Sequence, residues 1–279
     1  GLETVKDSVG NIVIRKPATP GMENRKRVVL QAHLDMVHQK NNATVFDFES
    51  QGIEMFLDGD WVRAKGTTLG ADNGLGVAAI MGILASHEIP HPALEALFTI
   101  DEETGMTGAK GLANDLLTGS ILLNLDTEED DTLCVGCAGG VDVTAQGTYT
   151  PVAAEGEAKG LSIRINGLQG GHSGMDIHKG LGNANLLLGR LLLVCGEAAP
   201  VSLSAMDGGS LRNAIPREAH ALLLVPAGNW DTVLRALEGE KKAILEEYRE
   251  KEPDLRISAE PADRPEKTMD PETTKGFLY

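Results

Sequence analysis

The residues best suited to chemistry are one histidine and five carboxylic acids in the first half of the chain. Five of these six side chains follow short apolar runs, and the sixth lies in the glycine-rich turn G-A-D-N-G; they are His33, Asp35, Glu102, Glu103, Asp126 and, in the turn, Asp72. Open α/β sheets carry their sites at the carboxyl ends of strands. Residues that are far apart in the sequence are therefore expected to meet at one edge of a sheet.

Four of these side chains can hold two divalent cations. In a two-metal hydrolase one carboxylate bridges cations that lie roughly 3.5–4 Å apart, and each cation takes further carboxylate or imidazole ligands. We predict Asp72 as the bridge, because its glycine-rich turn lets backbone and carboxylate approach closely. His33 and Asp126 would complete one site, and Glu103 would serve the other.

The remaining two acids have predicted roles beside the metal ligands. Glu102 would act as the general base and take a proton from the attacking water, next to the ligand Glu103. Zinc lowers the pKa of the water it binds toward about 7, so the nucleophile can form at neutral pH. Asp35 would accept a hydrogen bond from the second imidazole nitrogen of His33 and so fix its tautomer and orientation.

Each of these residues also has a purely structural interpretation. Asp72 could cap the helix that follows it, and Glu102 with Glu103 could form a solvated strand end. A single histidine such as His33 is more often structural than a ligand, and Asp126 could begin an acidic loop. The joint pattern favours the metal site, because all are zinc-competent and all follow strand ends or a tight turn within about 95 residues.

The elements that must position these side chains alternate between strands and helices. Apolar runs at residues 28–32, 94–100 and 121–125 predict strands, and residues 74–87 have the three- and four-residue apolar spacing of a helix. This order predicts an α/β fold with a mixed, mostly parallel sheet flanked by helices.

The composition becomes small, polar and acidic near residues 150–159. We therefore predict two domains, a metal-binding catalytic domain over residues 1–152 and a smaller α/β domain over residues 153–279.

The second domain has its own predicted elements. Apolar runs at residues 161–165 and 221–225 predict strands, and a helix is predicted over residues 183–194. A longer helix is predicted to begin at Asp231 as its N-cap and to reach residue 251, and the polar stretch at residues 260–279 predicts a linker or an edge.

Composition and charge exclude several classes of protein. Hydrophobic residues make up 42% and charged residues 24%, as in an ordinary folded globular protein. The formal net charge of -16 would repel nucleic-acid phosphates and anionic membranes, so we expect neither partner. No apolar run approaches the roughly 20 residues of a membrane span. The first ten residues show no secretory signal, so we expect a cytoplasmic protein.

The chain has three cysteines, which argues against a disulfide framework and favours a reducing compartment. Cys134 and Cys137 form a C-x-x-C, but redox or zinc use would need a helix start after the pair or a second pair elsewhere. Gly139 and Gly140 follow instead. We predict two small buried thiols near a turn.

Four motifs in order resemble those of the two-zinc aminoacylase and carboxypeptidase family: H-L-D-M-V (33–37), G-A-D-N-G (70–74), T-I-D-E-E-T-G (99–105) and L-N-L-D (123–126). Longer strings resemble the Xaa-His dipeptidases, also called aminoacyl-histidine dipeptidases, which cleave carnosine-like dipeptides. They include G-T-T-L-G-A-D-N-G, G-C-A-G-G, L-R-N-A-I-P-R-E and G-G-H-S-G-M-D-I-H-K-G-L-G-N-A-N. The resemblance runs from about residue 9 to at least residue 251.

The resemblance implies a zinc-exopeptidase-like catalytic domain and the same roles for the six residues. It implies two divalent metal ions, zinc or else manganese or cobalt, a dipeptide substrate, and a cis peptide between Asp72 and Asn73. In the family the second domain is a smaller α/β lid and often a dimerisation surface, so a homodimer is expected. His172 matches a histidine that helps to stabilise the tetrahedral oxyanion, and Asn213 matches a lid asparagine that helps to hold substrate.

One family feature has no counterpart in this sequence. The second zinc of the family takes its last protein ligand from a histidine near the carboxyl terminus, and no matching segment occurs here. We therefore expect a partial sequence, with both domains incomplete and with weak or absent activity. Within the same chemistry the alternative is an amino-acid deacylase or another small-peptide exopeptidase. From a different class, the alternative is a non-catalytic metal-binding or dimerising fragment, which would bind one zinc or none per chain.

Overall fold

The computed structural model describes residues 1–127, 129, 131–137 and 139–278. The chain divides into two compact units, Gly1–Gly140 and Val141–Tyr279. The division into a catalytic domain over residues 1–152 and a lid over residues 153–279 stays a prediction. Within the described residues, no helix combines the length and the apolar character that crossing a membrane requires.

The first unit is an α/β unit with a mixed sheet. Its described elements in chain order are β1 (Glu3–Lys6), β2 (Ile12–Lys16), β3 (Val28–His33), β4 (Met55–Asp58), β5 (Trp61–Ala64), α1 (Ala71–Ala85), β6 (Leu94–Thr99), α2 (Thr107–Lys110) and β7 (Ile121–Asn124). Five strands form one sheet in the order β1-β2-β6-β3-β7, and β4 and β5 form a separate antiparallel hairpin. Strand β3 pairs in parallel with β6 and β7, whereas β2 pairs antiparallel with β1 and β6. The mixed α/β fold class predicted from the sequence is confirmed.

The central strands of this sheet bury both of their faces. On one face Leu30 and Phe98 pack with Ile80 of α1, and on the other face Val29 and Leu97 belong to a second buried cluster. Strands that are covered on both sides read as continuous apolar runs and not as alternating ones. This explains why the runs at residues 28–32 and 94–100 are strongly apolar.

Glu95 is the charged residue within the apolar strand β6, and its side chain is fully buried. Its carboxylate accepts hydrogen bonds from the backbone N–H groups of Thr118 (2.9 Å) and Gly119 (2.8 Å) and lies 3.3 Å from Arg27 Nη1. Burial raises the pKa of Glu95, but these hydrogen bonds and the Arg27 charge outweigh it and hold the pKa below 4.5. Glu95 therefore anchors the loop that leads into β7.

The second unit is an antiparallel sheet with helices packed on it. Its described elements in chain order are β8 (Val152–Ala153), β9 (Ala158–Asn166), α3 (Ala184–Ala198), β10 (Ser202–Gly208), β11 (Ala219–Pro226), α4 (Trp230–Glu247), β12 (Arg256–Ala262), β13 (Lys267–Thr268) and α5 (Pro271–Leu278). Four strands pair antiparallel in the order β10-β11-β9-β12. Helices α3 and α4 bury apolar residues such as Leu191 and Leu237 against Ile163 and Leu223 of the sheet.

One prediction about the second unit is wrong, and another is correct only in one of its two alternatives. Helix α4 begins at Trp230 after the 3₁₀ turn Ala227–Asn229, so Asn229 occupies the N-cap and Asp231 lies in the first turn. Residues 260–278 are not a linker, because they contain the end of β12 and also β13 and α5, whereas the alternative prediction of an edge agrees with β12, which is the edge strand of the four-stranded sheet. Thr274 is buried there, and its hydroxyl oxygen accepts a hydrogen bond from the Leu203 N–H at 3.0 Å. The polar composition of this segment therefore did not predict its packing, which depends on a few buried contacts such as that of Thr274.

The prediction of two buried thiols at the C-x-x-C is also wrong, because Cys134 and Cys137 are both exposed. Among the described residues between β7 and β8 there is no helix or strand to enclose them. Leu133 and Val135 in the same stretch are 96% and 99% exposed. Cys195, in contrast, is buried in α3, and burial raises the pKa of its thiol to about 12.

Candidate metal centre

The acidic residues of the first unit approach one edge of its sheet because of strand direction. His33 is the last residue of β3, and Glu103 follows the end of the parallel strand β6 by four residues. Asp126 follows β7, which is also parallel to β3, by two residues. The carboxyl ends of parallel strands meet at the same edge. The start of α1 delivers Asp72.

Three of the predicted ligands come together closely enough to share one cation. Ligand atoms of His33, Asp72 and Glu103 all lie within 4.8 Å of one another. The His33 Nε2 atom lies 3.0 Å from Asp72 Oδ1 and 3.4 Å from Asp126 Oδ1. His33 is only 1% exposed, so its imidazole faces these carboxylates away from bulk water. One imidazole and several carboxylates are a donor set that suits zinc or manganese.

The start of α1 is irregular, and this irregularity presents Asp72. Gly70 has a left-handed backbone, and both Asp72 and Asn73 have non-helical dihedral angles. The peptide between Asp72 and Asn73 is cis, as the family resemblance implied. Regular helical geometry begins only after Asn73, close to the start predicted from the sequence. Asp72 therefore projects from a kinked turn and not from the helix itself.

Two residues near the start of α1 contribute to the site although their types and spacing did not predict it. The buried side chain of Asn73 donates a hydrogen bond from Nδ2 to Asp126 Oδ1 at 2.5 Å. Gly76 packs so closely on the next segment that a Cβ there would lie 2.5 Å from the Leu125 carbonyl oxygen. The D-N-G string was the available signal. A sequence does not show which carboxylate an asparagine contacts.

Asp35 connects the ends of β3 and β6. The His33 Nδ1 atom lies 2.9 Å from the Asp35 backbone carbonyl oxygen and 3.4 Å from its carboxylate Oδ1. The two carboxylate oxygens of Asp35 accept hydrogen bonds from the backbone N–H groups of Glu102 and Glu103, both at 3.0 Å. Asp35 therefore fixes the backbone of both glutamates, a role that its spacing from His33 did not indicate.

The electrostatic state of His33 is set by the acids around it. Burial lowers the pKa of His33, but the hydrogen bond and charge of Asp126, the hydrogen bond with Asp72 and the charge of Asp35 outweigh it and raise the pKa to about 10. The hydrogen bond with His33 in turn lowers the pKa of Asp126, against the effect of burial. A metal ion binds neutral imidazole, so a cation here would replace the proton on His33.

The other acids repel one another. Burial and the charges of Asp72 and Glu102 raise the pKa of Glu103 to about 7. Burial also raises the pKa of Glu102 and of Asp72, and the Asp126 charge adds to both shifts. Crowded carboxylates gain from a divalent cation, which neutralises the repulsion that perturbs them. The donor set thus fits a metal ion.

His172 and Asn213 both lie in the second unit, in two segments that are hydrogen-bonded to each other. His172 forms an isolated antiparallel bridge with Ala214, and the Ser173 N–H donates to the Asn213 carbonyl oxygen at 2.7 Å. The two residues singled out by the family resemblance are therefore neighbours within this unit.

Both units of the chain are similar to parts of known peptidases. Residues 11–140 match the family described as Peptidase family M28, and residues 163–251 match the Peptidase dimerisation domain. The chain is 50% identical over 258 residues to the cytosol non-specific dipeptidase of Escherichia coli (strain K12), covering 92% of this chain and 53% of that protein. It is 26% identical over 214 residues to the uncharacterized protein YqjE of Bacillus subtilis (strain 168), covering 72% of this chain and 49% of that protein.

A solved structure is also similar to this chain. The aminoacylhistidine dipeptidase from Vibrio alginolyticus is 44% identical, with a TM-score of 0.57, over 100% of this chain and 57% of that one. The chain thus spans about half the length of the relatives that it matches.

Proposed function

We propose that this chain carries much of the metal centre of a metal-dependent dipeptidase. The premise is its similarity to a known dipeptidase over 92% of its length. The observation that carries this proposal is the approach of His33, Asp72 and Glu103 ligand atoms to within 4.8 Å of one another. The reaction is hydrolysis of a dipeptide by water. We infer that Xaa-His dipeptides such as carnosine are the substrates, because the solved relative is an aminoacylhistidine dipeptidase.

Two divalent cations, zinc in our proposal, would share these ligands. Asp72 would be shared by both cations, His33 and Asp126 would hold one of them, and Glu103 would hold the other. The separations of 3.0 Å from His33 Nε2 to Asp72 and 3.4 Å to Asp126 support a common site for these three side chains. When bound, zinc would lower the pKa of water and polarise the scissile carbonyl.

Glu102 is the proposed general base. It adjoins the ligand Glu103, and the Asp35 carboxylate holds the backbone of both residues through hydrogen bonds of 3.0 Å. A glutamate in this position can remove a proton from the attacking water and pass it to the leaving amine. Asp35 thereby positions one ligand and the base together.

The second unit supplies the proposed substrate contacts. His172 donates a hydrogen bond to the developing oxyanion, and Asn213 helps to hold the substrate. The match of residues 163–251 to the Peptidase dimerisation domain supports a homodimer through this unit. The Escherichia coli relative is named a cytosol dipeptidase, and we propose the same compartment, the cytoplasm, for this protein.

The test is hydrolysis of carnosine with added zinc or manganese, together with a measurement of bound metal per chain. Glu102→Gln should lower kcat by about 10²–10⁴-fold and leave metal binding intact. Glu88→Gln, which changes an exposed glutamate of the same unit, is the matched control and should change neither. Equal activity of the Glu102 variant and wild type would refute the assignment of the base.

Two alternatives give different results in the same experiment. An amino-acid deacylase or another small-peptide exopeptidase would bind two metal ions but prefer an N-acyl amino acid or another peptide to carnosine. A non-catalytic metal-binding or dimerising fragment would bind one metal ion or none and hydrolyse neither substrate. The intact pair Glu102 and Glu103 favours the enzyme, because a fragment without catalysis has no need of a base.

A further inference from the structure

His172 lies in a loop whose backbone N–H groups donate hydrogen bonds to its imidazole and to its carbonyl oxygen. The backbone N–H groups of Gly174 and Met175 both donate to the His172 Nδ1 atom at 3.1 Å. The backbone N–H of Asp176 donates to the His172 carbonyl oxygen at 2.9 Å. The imidazole is therefore held against its own backbone turn.

These contacts decide where the proton of the imidazole lies. A backbone N–H can only donate, so an Nδ1 atom that receives two of them must be an unprotonated acceptor. A neutral imidazole carries its single proton on the other nitrogen, Nε2. His172 is thereby fixed in the tautomer that donates a hydrogen bond from Nε2, which is the tautomer that an oxyanion requires.

Asp176 holds the turn that aims these amides. Its Oδ2 atom accepts a hydrogen bond from the His172 backbone N–H at 2.7 Å, and its Oδ1 atom pairs with Lys179 Nζ at 2.6 Å. The hydrogen bond with Lys179 and the one from His172 lower the pKa of Asp176, so it is ionised at neutral pH. Gly171 leaves room for this carboxylate, since a Cβ there would lie 2.8 Å from Asp176 Oδ2.

The base of the loop is closed by a buried carboxylate. Glu252 is 2% exposed and accepts hydrogen bonds at 2.8 Å from the backbone N–H groups of both Gln169 and Gly182. These two residues stand at the two ends of the loop that contains His172. The loop is therefore fixed at its ends as well as at its tip, which keeps the imidazole pre-organised.

We propose that Asp176 is a positioning residue, which holds the Ser173–Met175 turn so that its amides keep His172 neutral with the proton on Nε2. This inference rests on the proposed function, since it makes His172 a hydrogen-bond donor to the oxyanion and not a base. An Nε2 atom that carries the proton cannot accept one from water, so proton removal stays with Glu102.

The experiment records the imidazole nitrogen-15 signals of the ¹⁵N-labelled chain at neutral pH, because pyridine-type and pyrrole-type nitrogens resonate in separate regions. The chain has seven histidines, and His172→Gln identifies the signals of His172 by their loss. We expect Nδ1 of pyridine type and Nε2 of pyrrole type. A pyrrole-type Nδ1, or two averaged signals, would overturn the proposal for the wild-type protein without any further variant.

Variants then test the part played by Asp176. Asp176→Ala removes the acceptor of the His172 N–H and should shift both ring signals toward the averaged position of a free histidine. Asp176→Asn keeps an acceptor oxygen and should retain the wild-type pattern. Asp207→Asn, which changes an exposed aspartate of the same unit, is the control. Unchanged ring signals in a folded Asp176→Ala protein would exclude a positioning role.

Gly171→Ala provides a second route if Asp176→Ala does not fold. The added methyl group would displace the Asp176 carboxylate and should give the same averaged signals. In the active enzyme, Asp176→Ala should lower kcat by roughly ten- to a hundredfold with little change in KM, because an oxyanion donor acts only in the transition state. Absence of hydrolysis together with one bound metal ion or none per chain would refute the proposed function for this chain, whereas the nitrogen signals would still decide the tautomer of His172.

Discussion

Replacement of Gly76 by alanine should damage both the stability of the first unit and its metal site. Gly76 lies in α1, where the helix approaches the end of β7. A Cβ at this position would lie 2.0 Å from Asn73 Oδ1 and 2.5 Å from the Leu125 carbonyl oxygen. Real Cβ contacts are essentially never shorter than 3.0 Å, so both neighbours must move. Leu125 directly precedes Asp126, and Asn73 donates to its carboxylate.

The cost can be worked out from these contacts. Overpacking of a tight site costs about 1–3 kcal/mol, and loss of the hydrogen bond between Asn73 and the Asp126 carboxylate costs about 1.5–3 kcal/mol. Alanine returns about 1 kcal/mol, because it favours the helix more than glycine does. We expect Gly76→Ala to lower the free energy of unfolding by about 1.5–5 kcal/mol. Displacement of the residue that holds Asp126 should also weaken metal binding by roughly 10–100-fold.

Gly82 of the same helix offers a matched control. A Cβ there would meet nothing within 4 Å, so Gly82→Ala gains helix propensity without a clash. It should stabilise the unit by up to about 1 kcal/mol and leave metal affinity unchanged. Thermal and urea unfolding of both variants, with zinc titration by calorimetry, measure the two effects.

The opposite result would refute this reasoning. If Gly76→Ala is as stable as Gly82→Ala and binds zinc as the wild type does, then the approach of α1 to Leu125 does not position Asp126. Loss of stability with full metal affinity would show that Asn73 has no part in holding the ligand.

Three further predictions concern buried acids and metal. Glu95→Gln should cost about 2–3 kcal/mol at neutral pH in urea unfolding, because the amide NH₂ group that replaces Oε1 cannot accept the hydrogen bonds that the Thr118 hydroxyl and Arg27 Nη1 donate to that atom. The pKa of Glu95 in the folded protein lies below 4.5, so the difference in unfolding free energy between wild type and Glu95→Gln should be complete above pH 4.5. This difference should vanish as the pH falls through the folded pKa. A difference that stays constant at acidic pH would contradict this prediction. Zinc at about 100 times its Kd should stabilise the first unit by about 2.7 kcal/mol, an effect that a chelator reverses, and no shift in the melting temperature would argue against the site. Glu252→Gln should cost about 1–3 kcal/mol, whereas Glu250→Gln, at an exposed neighbour, should cost nothing measurable in the same unfolding assay.

The sequence by itself determined the central strands of the first unit, the helix between them, and the kinds of side chain at its candidate site. Its apolar runs gave strands that end close to where the structure ends them, since burial on both faces of a sheet demands such runs. The types and order of His33, Asp72, Glu103 and Asp126 predicted a two-metal hydrolase, because few side chains bind zinc and the strand ends confine them to one edge.

Only the tertiary structure decided how the site is held together. The contacts of Asn73 with Asp126 and of Asp35 with the glutamate amides join segments separated by 53 and 67 or 68 residues. The exposure of Cys134 and the burial of Thr274 likewise depend on which distant segments cover them. Local patterns record the period of an element and the type of a side chain. They do not record its neighbour in space, because packing of the whole chain selects that neighbour.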